Sequence, residues 1–257
     1  METITFDEKN NVAYLTITSP PANALSSKLI NALDEQLDRI EKEDAVKAIV
    51  LKGEGRFFSA GADIKEFTSL RHEVDYQVLS ESGQAVFNKL ENFPIPVIAA
   101  IHGAALGGGL ELAMACHIRL ATEHAKLGLP EITLGIIPGF AGTQRLPRYV
   151  GAAKAYEMML SGKPITGKEA YNLGLVNRIV NEEELNDEST KLAENIARMS
   201  KPAIKHIMHL VLLAKNEPLE KGVKEEAKAF RAIFGSEDAK EGIQAFLEKR
   251  EPNFKDK

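Results

Sequence analysis

The sequence predicts an α/β protein, an alternating core that ends in a purely helical C-terminal region. Two observations carry this reading. Over roughly the first 180 residues, short apolar or alternating segments bounded by Gly and Pro trade places with segments of 3.6-residue period. From Glu183 onward only helical patterns occur, punctuated by Pro202 and Pro218. With 257 residues, 44% of them hydrophobic, the chain can bury one large domain, or a domain with an appendage.

The elements follow in order. "TITF", polar "DEKNN" and "VAYLTIT" read as a hairpin, with Ala13, Leu15 and Ile17 alternating with Tyr14 and Thr16. A helix from about Ser27 puts Leu29, Ile30, Leu33, Leu37 and Ile40 on one face. "KAIVLKG" is a short strand ended by Gly53, and "GRFFSAGADIKEF" is a glycine-bearing loop feeding a helix. Residues 78–90 form an amphipathic helix, and "PIPVIAAIHG" is the strongest buried-strand candidate. A glycine-rich helix comes next, followed by short strands near 118–121 and 126–129. Thr166 with Glu169 matches a capping box, Gly174 suits the end of that helix, and "LVNRIV" is a last strand.

Composition narrows the function classes. The net charge is -5, with acids and bases interleaved and no dense Lys/Arg run, which argues against a nucleic-acid surface. A local basic pocket for a small anion stays open. The single cysteine, Cys116, lies in an apolar helical run and reads as a buried, inert thiol in a reducing compartment. The N-terminus lacks the pattern of a signal peptide, and no stretch approaches the roughly 18 apolar residues of a membrane span. The expectation is a soluble cytoplasmic protein with no membrane partner.

The most informative stretch is "AALGGGLELAMAC", residues 104–116. Glycines 107, 108 and 109 sit where a strand meets a helix. Such a junction lets a ligand approach backbone N–H groups at a helix N-terminus. A tight turn that packs strand on helix explains the glycines equally well. Glu111 falls in the first helical turn, where the dipole alone favours an acid. Glu131, in "GLPEITLGIIP", is a second acid among apolar neighbours. Two such acids beside glycine-rich backbone fit paired acid/base catalysis.

Other residues carry less. Walker and dinucleotide glycine spacings are not matched. His206 and His209 share a helix face without a third metal ligand and read as a solvated face. His102 and His117 read as ordinary polar partners, and Ser59 lacks the glycine that a nucleophile elbow needs. No metal site is expected.

The blocks "FFSAGADIKEF", "PVIAAIHGAALGGGLELAMACHIRLA", "LGLPEITLGIIPGFAGTQRLPR" and "FLEKREPNFKD" together resemble the crotonase (enoyl-CoA hydratase/isomerase) superfamily across essentially the whole chain. The resemblance implies a spiral of ββα units in residues 1–198. It also implies a helical region, 199–257, that assembles trimers or dimers of trimers. It implies an acyl-CoA thioester substrate, with coenzyme A as part of the substrate and no separate cofactor.

Mapped by motif, the resemblance implies that the N–H groups of Ala62 and Gly108 form an oxyanion hole. Glu111 and Glu131 match both acids of the hydratase branch, and Gly139 helps to hold the water. Ala60, Ala62, Asp63, Ile64, Lys65 and Gly108 line the CoA site, and Lys249 matches a lysine that reaches a CoA phosphate. Phe140 stands where many hydratases carry alanine, beside the acyl region.

The implied reaction is hydration of a trans-2-enoyl-CoA by syn addition to a 3-hydroxyacyl-CoA, in fatty-acid β-oxidation or short-acid degradation. Double-bond isomerisation is an alternative within the family, and RNA binding is an alternative of another class.

Overall fold

The structure, a computed structural model, describes residues 3–68 and 72–257. Strands β1 (Ile4–Lys9) and β2 (Val12–Ile17) form the expected antiparallel hairpin. The turn is Asn10-Asn11, both with positive φ (52° and 62°). A two-residue hairpin of type I′ needs φ > 0 at both positions, and asparagine tolerates it. The polar "DEK" is therefore strand rather than loop.

Strand β2 begins a parallel series with β3 (Ala48–Gly53), β4 (Val97–Ile101), β6 (Ile118–Thr122) and β9 (Arg178–Val180). Among the described residues the sheet order is β1-β2-β3-β4-β6-β9. A smaller sheet joins β5 (Ala104–Leu106), β7 (Lys126–Gly128) and β8 (Ile165–Thr166). Two passes, β4 then β5 and β6 then β7, leave one strand in the large sheet and the next in the small one, and a helical turn follows each. Thus β4 and β5 lead to α4 (Gly108–Ala115), a ββα unit of the kind that the family resemblance implies.

The two faces of the large sheet are both covered. Ile49, Leu51, Ala99 and Ile101 point into the main core with α1 (Ser27–Glu41), α3 (Glu73–Glu91) and α4. Their neighbours Ala48, Val50, Ile98 and Ala100 point the other way, onto Leu185, Ala193 and Ala197 of α8 (Leu185–Ala197). The period of two in a strand makes this division, so near-continuous apolar runs are required.

Several elements differ from the sequence reading. Helix α3 begins at Glu73, and the short α2 (Ile64–Phe67) precedes it. Helices α5 (Gly142–Val150) and α6 (Ala152–Ser161) occupy a segment in which the sequence reading placed no helix. The capping box is present at α7 (Gly167–Asn172), where Thr166 N–H donates to Glu169 Oε2 at 2.7 Å.

Helices α9 (Lys201–Asn216), α10 (Leu219–Phe234) and α11 (Glu237–Glu248) finish the chain. They border an apolar groove of about 670 Å³ lined by Met208, Phe230, Phe234 and Ile243. Phe230 and Phe246 are 66% and 83% exposed. Among the described residues no helix is long and apolar enough to cross a membrane.

Candidate active site

The three glycines between β5 and α4 serve different ends. Gly107 has φ 52° and ψ -128°, and its N–H donates to Gly128 O at 2.8 Å. A Cβ there would lie 3.0 Å from Glu131 Oε1. At Gly109 a Cβ would meet Ser59 O at 2.4 Å, so this glycine packs helix on backbone. Gly108 is the first helical residue, and a Cβ there would enter space bounded by Leu25 and the Phe140 ring. The packing reading of the triplet thus accounts for Gly109.

Ala62 comes to Gly108 through parallel bridges, Leu25 with Ala62 and Ser59 with Ala105. The hydrogen bonds on either side, Leu25 N–H to Gly61 O and Asp63 N–H to Leu25 O, skip the Ala62 N–H. Gly61, with φ 109°, lies against the junction, and a Cβ on it would sit 3.7 Å from Gly108 N. Among the described residues neither the Ala62 N–H nor the Gly108 N–H donates to a protein acceptor.

Glu111, 1% exposed, lies in the first turn of α4. Its Oε1 accepts from Phe140 N–H at 2.8 Å and Gly142 N–H at 2.6 Å. A Cβ on Gly142 would stand 2.8 Å from the same oxygen, which accounts for glycine there. Burial pushes the Glu111 pKa up to about 7. The Gly142 N–H opposes that rise, the charge of Glu131 adds to it, and the Phe140 N–H opposes it again. Among the described residues no donor engages Oε2.

Glu131 opens a 3₁₀ turn, Glu131–Leu134, directly after Pro130. Its Oε2 is shielded from solvent and has no hydrogen-bond partner among the described residues. Burial raises its pKa against the pull of its own backbone N–H. The structure therefore joins two acids of raised pKa to a pair of open N–H groups. A buried carboxyl with a free oxygen can give or take a proton, and open N–H groups can hold a developing oxyanion.

Residues 139–145 tie Glu111 to α3. Ser80 Oγ and Gln84 Nε2 both donate to Gly139 O, at 2.5 and 2.9 Å. The Gly139 N–H donates to no protein acceptor among the described residues. The Phe140 ring meets Phe87 edge-on at 5.3 Å. Arg145, 4% exposed, donates to Phe140 O at 2.9 Å, Asn88 Oδ1 at 2.7 Å and Glu91 Oε2 at 2.9 Å. Burial opposes ionisation of Glu91, but the Arg145 guanidinium outweighs it and holds the carboxyl below its ordinary value.

Sequence reasoning missed Ser80, Gln84, Gly142 and Arg145 as contributors. The available signal was the stripe Ser80, Gly83, Gln84, Phe87, Asn88 and Glu91, at intervals of three and four.

The remaining expected residues fall around or outside this centre. Ala60, Ile64 and Lys65 are exposed, and the Asp63 carboxylate caps α2 by accepting from Lys65 N–H at 3.0 Å. Lys249 is the exposed C-cap of α11, in the C-terminal helices. His117 accepts from Val97 N–H at 3.0 Å, and burial pushes its pKa down to about 4. His102 meets Gly55 O at 2.9 Å, so both histidines are polar partners as expected.

Ser59 is fully buried and donates to Asn23 O at 2.8 Å. The Cys116 thiol is buried and pushed up to about 12, as an inert thiol would be. His206 and His209 line a surface cleft of about 910 Å³ with Lys201 and Lys205. Among the described residues no three His, Cys, Asp or Glu side chains gather as a metal site.

Comparison with known proteins gives the kinship. The profile of the family described as Enoyl-CoA hydratase/isomerase matches residues 7–257. A Bacillus subtilis (strain 168) protein named "Probable enoyl-CoA hydratase" is 59% identical over 245 residues, 95% of each chain. The "Crotonyl-CoA hydratase" of Syntrophomonas wolfei is 39% identical over 98% of each. The crystal structure of an enoyl-CoA hydratase from Bacillus anthracis superposes with a TM-score of 0.95 at 36% identity, covering 100% of both chains. This chain, with the ββα architecture described above, belongs to the enoyl-CoA hydratase/isomerase family.

Proposed function

We propose that the protein is an enoyl-CoA hydratase that adds water reversibly to a trans-2-enoyl-CoA, giving a 3-hydroxyacyl-CoA. The observation that carries this reading is the pair Glu111 and Glu131, both buried and both raised in pKa, beside two N–H groups with no protein acceptor. The thioester oxygen sits between the N–H groups of Ala62 and Gly108. As water adds to C3, charge moves onto that oxygen, and each such donor is worth about 2.7–4 kcal/mol in the transition state.

The ionised Glu111 takes the proton of the attacking water, which the Gly139 N–H helps to hold. Glu131, protonated, gives its proton to C2 on the same face. Two neighbouring carboxyl groups, both raised in pKa, can divide the taking and giving of one proton between them. The presence of both acids favours hydration over isomerisation, which needs a single group to move a proton between carbons.

Coenzyme A enters as part of the substrate, and the chemistry needs no other cofactor and no metal. Residues 60–65 lie where the CoA moiety would run, with Lys249 meeting a phosphate. The exposed Phe230 and Phe246 of the helical region 199–257, with the apolar groove between its helices, fit a subunit interface, and a trimer or a pair of trimers is the assembly we infer. A reducing cytoplasm suits the single buried thiol, and fatty-acid β-oxidation is the setting in which the reaction belongs.

Incubation with crotonyl-CoA and longer 2-enoyl-CoAs, following loss of the conjugated thioester absorbance, tests the assignment. Turnover is expected. None at any chain length would overturn it.

A further inference from the structure

We propose that Ser80 and Gln84 of α3 are positioning residues for hydration, because they fix the peptide whose N–H holds Glu111. The proposal rests on the hydratase reading above for its kinetic consequence, though not for its geometry.

The peptide joining Gly139 to Phe140 is gripped at both ends. Its carbonyl oxygen accepts from Ser80 Oγ at 2.5 Å and Gln84 Nε2 at 2.9 Å. Its N–H donates to Glu111 Oε1 at 2.8 Å. A trans peptide is planar with C=O and N–H pointing in opposite directions, so fixing the oxygen also fixes where the N–H points. Without the two donors only the N–H bond to Glu111 would hold this peptide, because Gly139 has no Cβ to restrict the bond that precedes it. Gln84 Nε2 also donates to Ser80 Oγ at 3.1 Å, so the two side chains brace each other.

The same helix face seats the rest of the loop. Gly83 lies between the two donors in sequence, and a Cβ on it would stand 2.3 Å from Phe140 Cε1. The helix gives up a side chain there so that the Phe140 ring can lie against it. One turn on, Asn88 and Glu91 hold Arg145, which in turn donates to the next carbonyl, Phe140 O. Ser80 and Gln84 touch neither acid, and they act through one peptide bond. The face Ser80, Gly83, Gln84, Phe87, Asn88 and Glu91 thus places the loop that orients Glu111.

The consequence is measurable at Glu111. The Phe140 N–H favours the ionised carboxylate, so loosening it moves the carboxyl pKa upward. The other charged groups acting on Glu111 are Glu131, on the 3₁₀ turn, and Arg145, on α5. Neither is altered by changes at Ser80 or Gln84.

The test uses the full-length double variant Ser80→Ala, Gln84→Met beside the wild type and Ser80→Thr, which keeps the hydroxyl. Carbon-13 NMR of the glutamate carboxyls reads the Glu111 titration, with Glu111→Gln giving the assignment. Kinetics on crotonyl-CoA are measured in parallel.

The double variant is expected to titrate Glu111 at higher pH and to lose at least about tenfold in kcat, with KM changed little. Its acid limb in the kcat profile should move the same way, and Ser80→Thr should stay close to wild type. A folded double variant with unchanged titration and kcat overturns the proposal. So does a fall in kcat with the titration and pH limb unmoved. A wild type inactive on every 2-enoyl-CoA defeats the hydratase reading alone, since the titration still judges the clamp.

Discussion

The backbone N–H of Gly142, first residue of α5, donates to Oε1 of Glu111 at 2.6 Å. The acid in the first turn of α4 therefore also caps the start of α5, and the two helices meet at one carboxylate. A helix N-terminus favours negative charge. Burial opposes it more strongly, and the pKa ends up at about 7 rather than 4.5. Glu111 is a group whose ionised form strains the fold.

The pH dependence of stability follows from that sign. Below 4.5 the carboxyl is protonated in both the folded and the unfolded chain, and it contributes nothing to the difference. Between 4.5 and about 7 the unfolded chain ionises while the folded chain keeps the proton, so stability falls as pH rises; above about 7 both are ionised and the loss, roughly 3 kcal/mol, is complete. Glu111→Gln removes the charge and keeps an oxygen for the two N–H groups. Urea unfolding at one protein concentration should find the variant more stable than wild type at pH 8, with the gap closing toward pH 4.5. Equal stability at pH 8 would show that the carboxylate is not strained.

The Gly108 N–H is tested by Gly108→Pro with Gly108→Ala as its control. Both add a Cβ against Leu25 and Phe140, but proline alone removes the donor. Proline is tolerated at a first helical position. With the chain still folded by circular dichroism, kcat should fall by about 10²–10³ more for proline than for alanine. Equal losses would take the oxyanion role away from this N–H.

Phe140 bears on acyl length. Its ring and Leu25 bound the space beside Gly108, where the proposed oxyanion hole would hold the thioester carbonyl. Phe140→Leu keeps the N–H to Glu111 and opens that space. The ratio of kcat/KM for an eight-carbon to a four-carbon 2-enoyl-CoA should rise several-fold, since the smaller leucine opens only about one methylene's worth of room, about 1–3 kcal/mol at most. A ratio unchanged in a folded variant would place the acyl chain elsewhere.

Much of this was legible in the sequence, for physical reasons. Strands β2, β3, β4 and β6 are buried, and their apolar runs end at glycine, proline or polar residues. The capping box at Thr166 and Glu169 and the first-turn position of Glu111 are local patterns, and the structure keeps them.

What was missed depends on contacts distant in sequence. Strand β5 is only Ala104–Leu106, too short for alternation to register. Helix α5 contains Pro147 and starts after Ala141 in the left-handed region, so local signals speak against it. What holds it is Arg145 and the Glu111 carboxylate. The clamp by Ser80 and Gln84 joins residues more than fifty positions apart, and only the fold reveals it.

The central claim is that Glu111 and Glu131 divide one hydration between them. The direct measurement is kcat on crotonyl-CoA for Glu111→Gln, Glu131→Gln and the double variant, with exchange of the C2 proton into deuterium oxide. Glutamine keeps the shape but cannot exchange a proton near neutral pH. Each single change should lower kcat by at least about 10²-fold. The double variant should fall far short of the product of the two losses. Exchange at C2 should depend chiefly on Glu131. Activity that survives Glu111→Gln and is lost with Glu131→Gln, in folded proteins, would contradict hydration and assign the site to isomerisation.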